Sequence, residues 1–215
     1  MAVTKPRTLI IAGCGPGSPD FITPAVRSAV SGAEVLVGAK RLLELFPESG
    51  AEKIVMAADV EEILKEIEKQ RDTKRIVILV TGDPGISSLA RPVLKRFGIA
   101  ACCVIPGISS IQAAFARVGL DWTDARIIDT HGKDPSVALA QMKGERKIAV
   151  LGGGDHTLHW IGRLAALLGG DYSIFFCEDL TLPEERVMQV RTEDLASISL
   201  SPRTVALLIR EDFFP

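Results

Sequence analysis

Four short stretches rich in Gly and Pro carry most of the chain's chemical promise: Gly13-Cys14-Gly15-Pro16-Gly17-Ser18-Pro19, Thr81-Gly82-Asp83-Pro84-Gly85, Ile105-Pro106-Gly107-Ile108-Ser109-Ser110 and Leu151-Gly152-Gly153-Gly154-Asp155. Each follows an apolar run. Glycine has no Cβ, so such loops let a ligand approach the backbone, although plain turns need glycine too. The first loop invites a test against nucleotide binders. A dinucleotide fingerprint needs G-x-G-x-x-G, but the glycines here are Gly13, Gly15 and Gly17, and Ser18 follows. Pro16 has no N–H to offer a phosphate. A dinucleotide site also wants an acid at the end of the second strand; that run ends Leu36-Val37-Gly38, with Glu34 at its beginning. No G-x-x-x-x-G-K-S/T phosphate loop exists. A dinucleotide-dependent oxidoreductase is thereby a weaker alternative, and a non-catalytic ligand-binding module a third. Asp83 either caps its own turn or positions a ligand, and the residues alone leave both open.

Other reactive side chains are few. His131, in Asp129-Thr130-His131-Gly132, follows a strand-like run and is a candidate to face a cleft, with a solvated or structural role as the alternative. His156 and His159 could share a helix face, but no third ligand stands at motif spacing, so no metal is expected. There is no G-x-S-x-G nucleophile elbow. Cys14, Cys102, Cys103 and Cys177 form no C-x-x-C pair, which suits small buried thiols in a reducing cytosol.

These groups must be held by a framework. The chain of 215 residues allows one large domain or two small ones. Its 25 Lys and Arg against 27 Asp and Glu argue against a nucleic-acid partner. No apolar stretch is long enough to span a bilayer, and the first residues lack the apolar region of a signal peptide; a cytoplasmic protein is expected. Apolar runs at 8–12, 34–37, 53–55, 75–80 and 99–105 read as strands, the fourth of a buried parallel type. Between them, Thr23-Pro24 opens a helix. Val60, Ile63, Leu64 and Ile67 mark an amphipathic helix over 60–70. Residues 89–97 form another, closed by Gly98. Ser109 and Gln112 have capping-box spacing for a helix reaching Val118. After the turn-rich Gly119–Asp124, strands are predicted at 125–129, 147–151 and 172–177, and helices near 137–142 and 157–168. Runs at 185–191 and 204–210 have no full helix between them, which predicts antiparallel strands closing a second sheet. The expected fold is α/β with two domains, 1–118 and 119–215, each a sheet flanked by helices, and an active cleft between them.

The loops and their order resemble the tetrapyrrole methylase family, S-adenosylmethionine-dependent enzymes with two α/β domains. That family has a GxGPG loop near its N-terminus, a GDP loop after the fourth strand and a PGISS-type segment after the fifth. Here these are Gly13–Gly17, Gly82-Asp83-Pro84 and Pro106–Ser110. The stretches VGAKRLLELF (37–46), VIPGISSIQAAFARVGLDWTDARIIDTHGK (104–133) and CEDLTLPEERV (177–187) are similar to the members that methylate C5 of a precorrin or cobalt-precorrin in cobalamin biosynthesis. Methylation at another ring position is the alternative within the family. The chain stops at Pro215, so it resembles the stand-alone form rather than the fusion to a C15 methyltransferase. Two departures stand out: the aromatic pair often found after GDP is Ile86-Ser87 here, and the usual CENLG is Cys177-Glu178-Asp179-Leu180-Thr181.

The resemblance implies that Pro16, Asp83, Ile86, Ser109, Ser110, Gly152 and Gly153 bind the S-adenosylmethionine cofactor. It implies a polycarboxylate corrinoid substrate, for which Arg41, Arg91, Arg117, Lys133 and Arg186 are candidate partners because guanidinium grips carboxylate bidentately. His131 is the candidate acceptor for the proton that leaves the methylated carbon. A homodimer and association with a separate C15 methyltransferase/decarboxylase are further implications.

Overall fold

The computed structural model describes residues 8–56, 59–131, 135 and 138–214. The chain divides into two units between Ser109 and Ser110. The division falls ahead of the helix that ends at Val118, whereas the turn at Gly119 suggests one after it.

The first unit is built on five strands: β1 (Leu9–Gly13), β2 (Val35–Gly38), β3 (Glu52–Val55), β4 (Ile76–Val80) and β5 (Cys102–Ile105). Their order is β3-β2-β4-β1-β5, and every pair is parallel. Parallel sheets are covered on both faces, which is why β2 and β4 are apolar at successive positions. α1 (Pro24–Ser31) and α2 (Lys40–Leu43) place Val26, Val30, Leu42 and Leu43 against Ala12, Leu36, Val77 and Leu79. On the other face, α3 (Val60–Gln70) and α4 (Ala90–Phe97) place Ile63, Leu64, Ile67 and Val93 against Leu9, Ile11, Val35 and Ile78. The caps follow from the residues. Thr23 Oγ1 accepts from Val26 N at 3.3 Å with Pro24 at the first helical position, Asp59 Oδ1 accepts from Glu61 N at 2.8 Å, and Gly98 closes α4 at φ 82°.

Two details differ from expectation. The run at 99–105 is a 3-10 turn over Ile99–Ala101 followed by a short strand. That strand is at the sheet edge, paired only to β1, so Cys103 and Val104 are exposed rather than buried. All four cysteines are free thiols, and Cys14 and Cys177 are the buried ones.

The second unit contains α5 (Ser110–Val118), β6 (Arg126–Asp129), β7 (Lys147–Leu151), α6 (Gly154–Leu168), β8 (Tyr172–Glu178), β9 (Arg186–Val190) and β10 (Thr204–Arg210). The sheet order is β6-β7-β10-β8-β9. β6 and β7 are parallel; β10 runs antiparallel to both β7 and β8, and β9 antiparallel to β8. The last strand therefore lies at the centre. Trp160, Ile161, Leu164 and Ala165 of α6 pack on Ile128, Val150, Phe176, Ala206 and Leu208, and α5 packs against β10. In place of a helix near 137–142 there is a 3-10 turn, Leu139–Met142, with Val137 outside the described residues. Helix α6 starts at Gly154, ahead of the predicted Thr157.

Candidate active site

Sheet order decides what the first three loops can do. β1 lies between β4 and β5, so the loops leaving these strands meet at one carboxyl edge, where α/β sheets bind ligands. The loops are stitched together by backbone. Gly82 N donates to Gly15 O at 2.8 Å and Gly15 N to Gly82 O at 3.3 Å, while Cys14 N donates to Val80 O at 2.8 Å. A Cβ on Gly13 would lie 2.6 Å from Gly107 N and 2.7 Å from Gly82 O; one on Gly107 would lie 2.3 Å from Gly82 O. These glycines are needed because three loops touch each other.

Asp83 completes the junction. Its Oδ1 accepts from Gly85 N at 2.8 Å, capping its own turn, and its Oδ2 accepts from Gly107 N at 3.1 Å, bracing the neighbouring loop. Ile86 N closes the turn on Asp83 O at 3.1 Å. Pro16 and Ser109 are buried beside this edge, and Ile86 is half-buried. The amides of Gly15, Gly82, Gly85 and Gly107 are thus all bonded inside the protein. These four amides, and Pro16 which has none, therefore offer no donors to a ligand phosphate. Burial pushes the Cys14 thiol up to about 12, with the Arg41 charge partly opposing it.

Four of the five cationic candidates lie among the described residues, and they separate. Arg91 lines a cavity of about 490 Å³ with Pro84, Gly85, Ser87 and Ser88, and has no ion-pair partner among the described residues. Arg41 donates to Thr81 Oγ1 at the end of β4. Arg117 and Arg186 are already committed: Arg117 grips Glu185 through two nitrogens (2.5 and 3.1 Å), and Arg186 Nε donates to the buried Glu178 at 2.7 Å. Hydrogen bonding from Arg117 holds the Glu185 carboxyl below its usual range. Lys133 lies outside the described residues.

In the second unit, Ser110 opens α5, and Gly152 and Gly153 lie between β7 and α6. Gly152 has φ 145°, and a Cβ there would lie 2.3 Å from Thr130 Oγ1 and 2.7 Å from Thr157 Oγ1. A Cβ on Gly153 would lie 1.9 Å from Ser201 O. Thr130 Oγ1 donates to Leu151 O at 2.9 Å and sits 2.9 Å from Thr157 Oγ1, so the two hydroxyls tie β6 to the start of α6. His131 follows β6 and is exposed, with Nδ1 2.7 Å from Asp129 Oδ1. Asp129 was not singled out from the sequence. The available signal was its D-x-H spacing at a strand end, because residues two apart share a side. Among the described residues no three His, Cys, Asp or Glu side chains gather as a metal site, and no helix is long and apolar enough to cross a membrane.

The family model for Tetrapyrrole (Corrin/Porphyrin) Methylases matches residues 8–196. The chain belongs to the tetrapyrrole methylase family. Relatives of this methylase include the cobalt-precorrin-7 C(5)-methyltransferase of Salmonella typhimurium, 33% identical and covering 83% of this chain and 88% of that one. A second is the probable cobalt-precorrin-7 C(5)-methyltransferase of Methanocaldococcus jannaschii, 32% identical over 93% and 96% of the two chains. The methylase also shares its fold with a Thermus thermophilus uroporphyrin-III C-methyltransferase solved with S-adenosylhomocysteine (TM-score 0.77, 24% identity, 94% and 96% coverage).

Proposed function

We propose that this methylase transfers a methyl group from S-adenosylmethionine to C5 of a precorrin or cobalt-precorrin in cobalamin biosynthesis. The observation that carries the reading is the likeness to two C5-methyltransferases along most of each chain. The internally bonded loop amides support it, since they suit a cofactor without phosphate.

S-adenosylmethionine supplies an electrophilic methyl group, so the difficult chemistry is the cofactor's own. The chain's task is to orient the reactants and exclude water, and orientation alone contributes roughly 7–11 kcal/mol. Pro16, Asp83, Ile86, Ser109, Ser110, Gly152 and Gly153 are the proposed cofactor contacts. In the first unit Asp83 acts by fixing loop shape as well as by any direct contact. Arg91 and Arg41, with Lys133, are the proposed partners of substrate carboxylates; Arg117 and Arg186 hold the protein's own acids instead. The same reading includes a cytoplasmic homodimer that associates with a separate C15 methyltransferase/decarboxylase, testable by light scattering and co-purification.

The deciding experiment supplies labelled S-adenosylmethionine and cobalt-precorrin-7, then locates the methyl group by mass spectrometry and NMR. Label at C5 is expected. Label at another carbon would assign a different ring position, and no transfer would overturn the reading.

A further inference from the structure

The pair Asp129 and His131 goes beyond cofactor and substrate binding. A carboxylate only accepts hydrogen bonds, so the 2.7 Å contact between Asp129 Oδ1 and His131 Nδ1 places a hydrogen on Nδ1. In the neutral ring, Nε2 is then the basic nitrogen, with its lone pair available. The same Oδ1 also accepts from His131 N at 3.0 Å, so one oxygen holds both the backbone turn and the ring. Between the two residues, Thr130 points the other way and is buried, anchored to Leu151 and Thr157. The base of the pair is therefore fixed while the imidazole remains exposed. It stands where β6 ends, next to β7 and its Gly152-Gly153 loop.

We propose that His131 Nε2 takes the proton from the methylated ring carbon and that Asp129 is its positioning residue; this rests on the C5-methyltransferase reading. When the meso carbon bonds to the incoming methyl, it carries both CH3 and H, and the conjugated system is left positively charged. The C–H bond then breaks, its electron pair returns to the ring system, and the proton goes to Nε2. The resulting imidazolium faces the Asp129 carboxylate, which stabilises it, and the exposed ring passes the proton to water. The division of labour is that of an acid holding a histidine base in the useful tautomer. A surface ion pair with no such role would contribute little to stability and nothing to turnover.

The test combines imidazole 15N NMR with single-turnover methyl transfer from S-adenosylmethionine to cobalt-precorrin-7. The wild type is expected to show the Nδ1–H tautomer at His131. Asp129→Ala should move it toward Nε2–H, and Asp129→Asn, whose amide oxygen still accepts, should retain it. His131→Ala should slow turnover about 100-fold, with deuterium at C5 now retarding the reaction and S-adenosylhomocysteine affinity by calorimetry unchanged. Asp129→Ala should slow it about 10-fold in the maximal single-turnover rate, with the half-saturating concentration unchanged. An Nδ1–H tautomer that survives Asp129→Ala, or wild-type turnover in His131→Ala, would overturn this proposal alone. A wild type that binds S-adenosylhomocysteine but methylates no precorrin would overturn the functional reading, and this proposal with it.

Discussion

Removing the Asp83 carboxylate would release two amides at once, Gly85 N in its own turn and Gly107 N in the next loop. Each such bond contributes about 1 kcal/mol and more when the acceptor is charged, so Asp83→Ala should lower stability by about 2 kcal/mol in urea titration. Asp83→Asn keeps one acceptor oxygen and should fall between. Calorimetry with S-adenosylhomocysteine then separates the roles: affinity that drops in step with stability means loop shape, and a far larger drop means direct contact. The thiols give a second residue-scale expectation. Burial pushes Cys14 and Cys177 up to about 12, while Cys103 is exposed on an edge strand. At pH 8 a thiol reagent should label Cys103 quickly and leave Cys14 and Cys177 protected until unfolding, as mass spectrometry of the labelled peptides would show. Much of this was hidden in the sequence. Asp83 was recognisable as a special acid, but its second partner is 24 positions away and depends on β1 lying between β4 and β5. The cysteines all sit in or beside apolar runs, and only sheet order shows which run is an edge.

The segment between β8 and β9 shows how an element accommodates an unusual sequence. Asp179 and Thr181 adopt φ of 49° and 69°, a region that suits Asn and Gly and penalises a β-branched residue. The departure from CENLG to CEDLT was readable from sequence; that the backbone keeps the shape natural to Asn and Gly was not. Two ion pairs, Asp179 to Arg203 and Glu185 to Arg117, hold it, and Thr181 N donates a hydrogen bond to Glu185 Oε2. Thr181→Gly should therefore stabilise the protein by up to about 1 kcal/mol, the left-handed penalty less glycine's entropy. In a protein of this size that is a rise of about 2–4 °C in Tm. Glu185 carries the matching acid response. Its folded pKa lies below the ordinary 4.5 because Arg117 bonds to the carboxylate. Its contribution is complete above the unfolded pKa and is lost as pH falls through the depressed folded value. Glu185→Gln should lower stability at pH 7 and flatten the loss between pH 5 and 3, measured by urea midpoints across that range. Arg117 and Arg186 looked equivalent to Arg91 on composition; acids folded back by the β8–β9 connection set them apart.

For the molecule as a whole, ligand linkage is the broadest check. S-adenosylhomocysteine at about 100 times its Kd should stabilise the folded state by about 2.7 kcal/mol, raising Tm, while NAD at the same concentration should leave it unchanged. The alternation of apolar runs and helices made the parallel sheet of the first unit legible, because each strand there is followed by a helix or a long connection. The second unit was legible as an antiparallel ending but not in its order, since nothing local in Thr204–Arg210 says that it enters between β7 and β8. That central position has a consequence during synthesis. All five strands of the first sheet exist once Ile105 has been made, yet the second sheet cannot close until Arg210 has, roughly 5–20 s later at ordinary rates of chain growth. From the completion of β8 at Glu178 until Thr204–Arg210 follows, β7 and β8 lack the neighbour that joins them, and each offers a bare edge to other chains. A ribosome that stalls before Thr204 would leave a nascent chain whose first sheet is complete and whose second is adhesive, so translation speed over the last stretch bears on the yield of soluble protein.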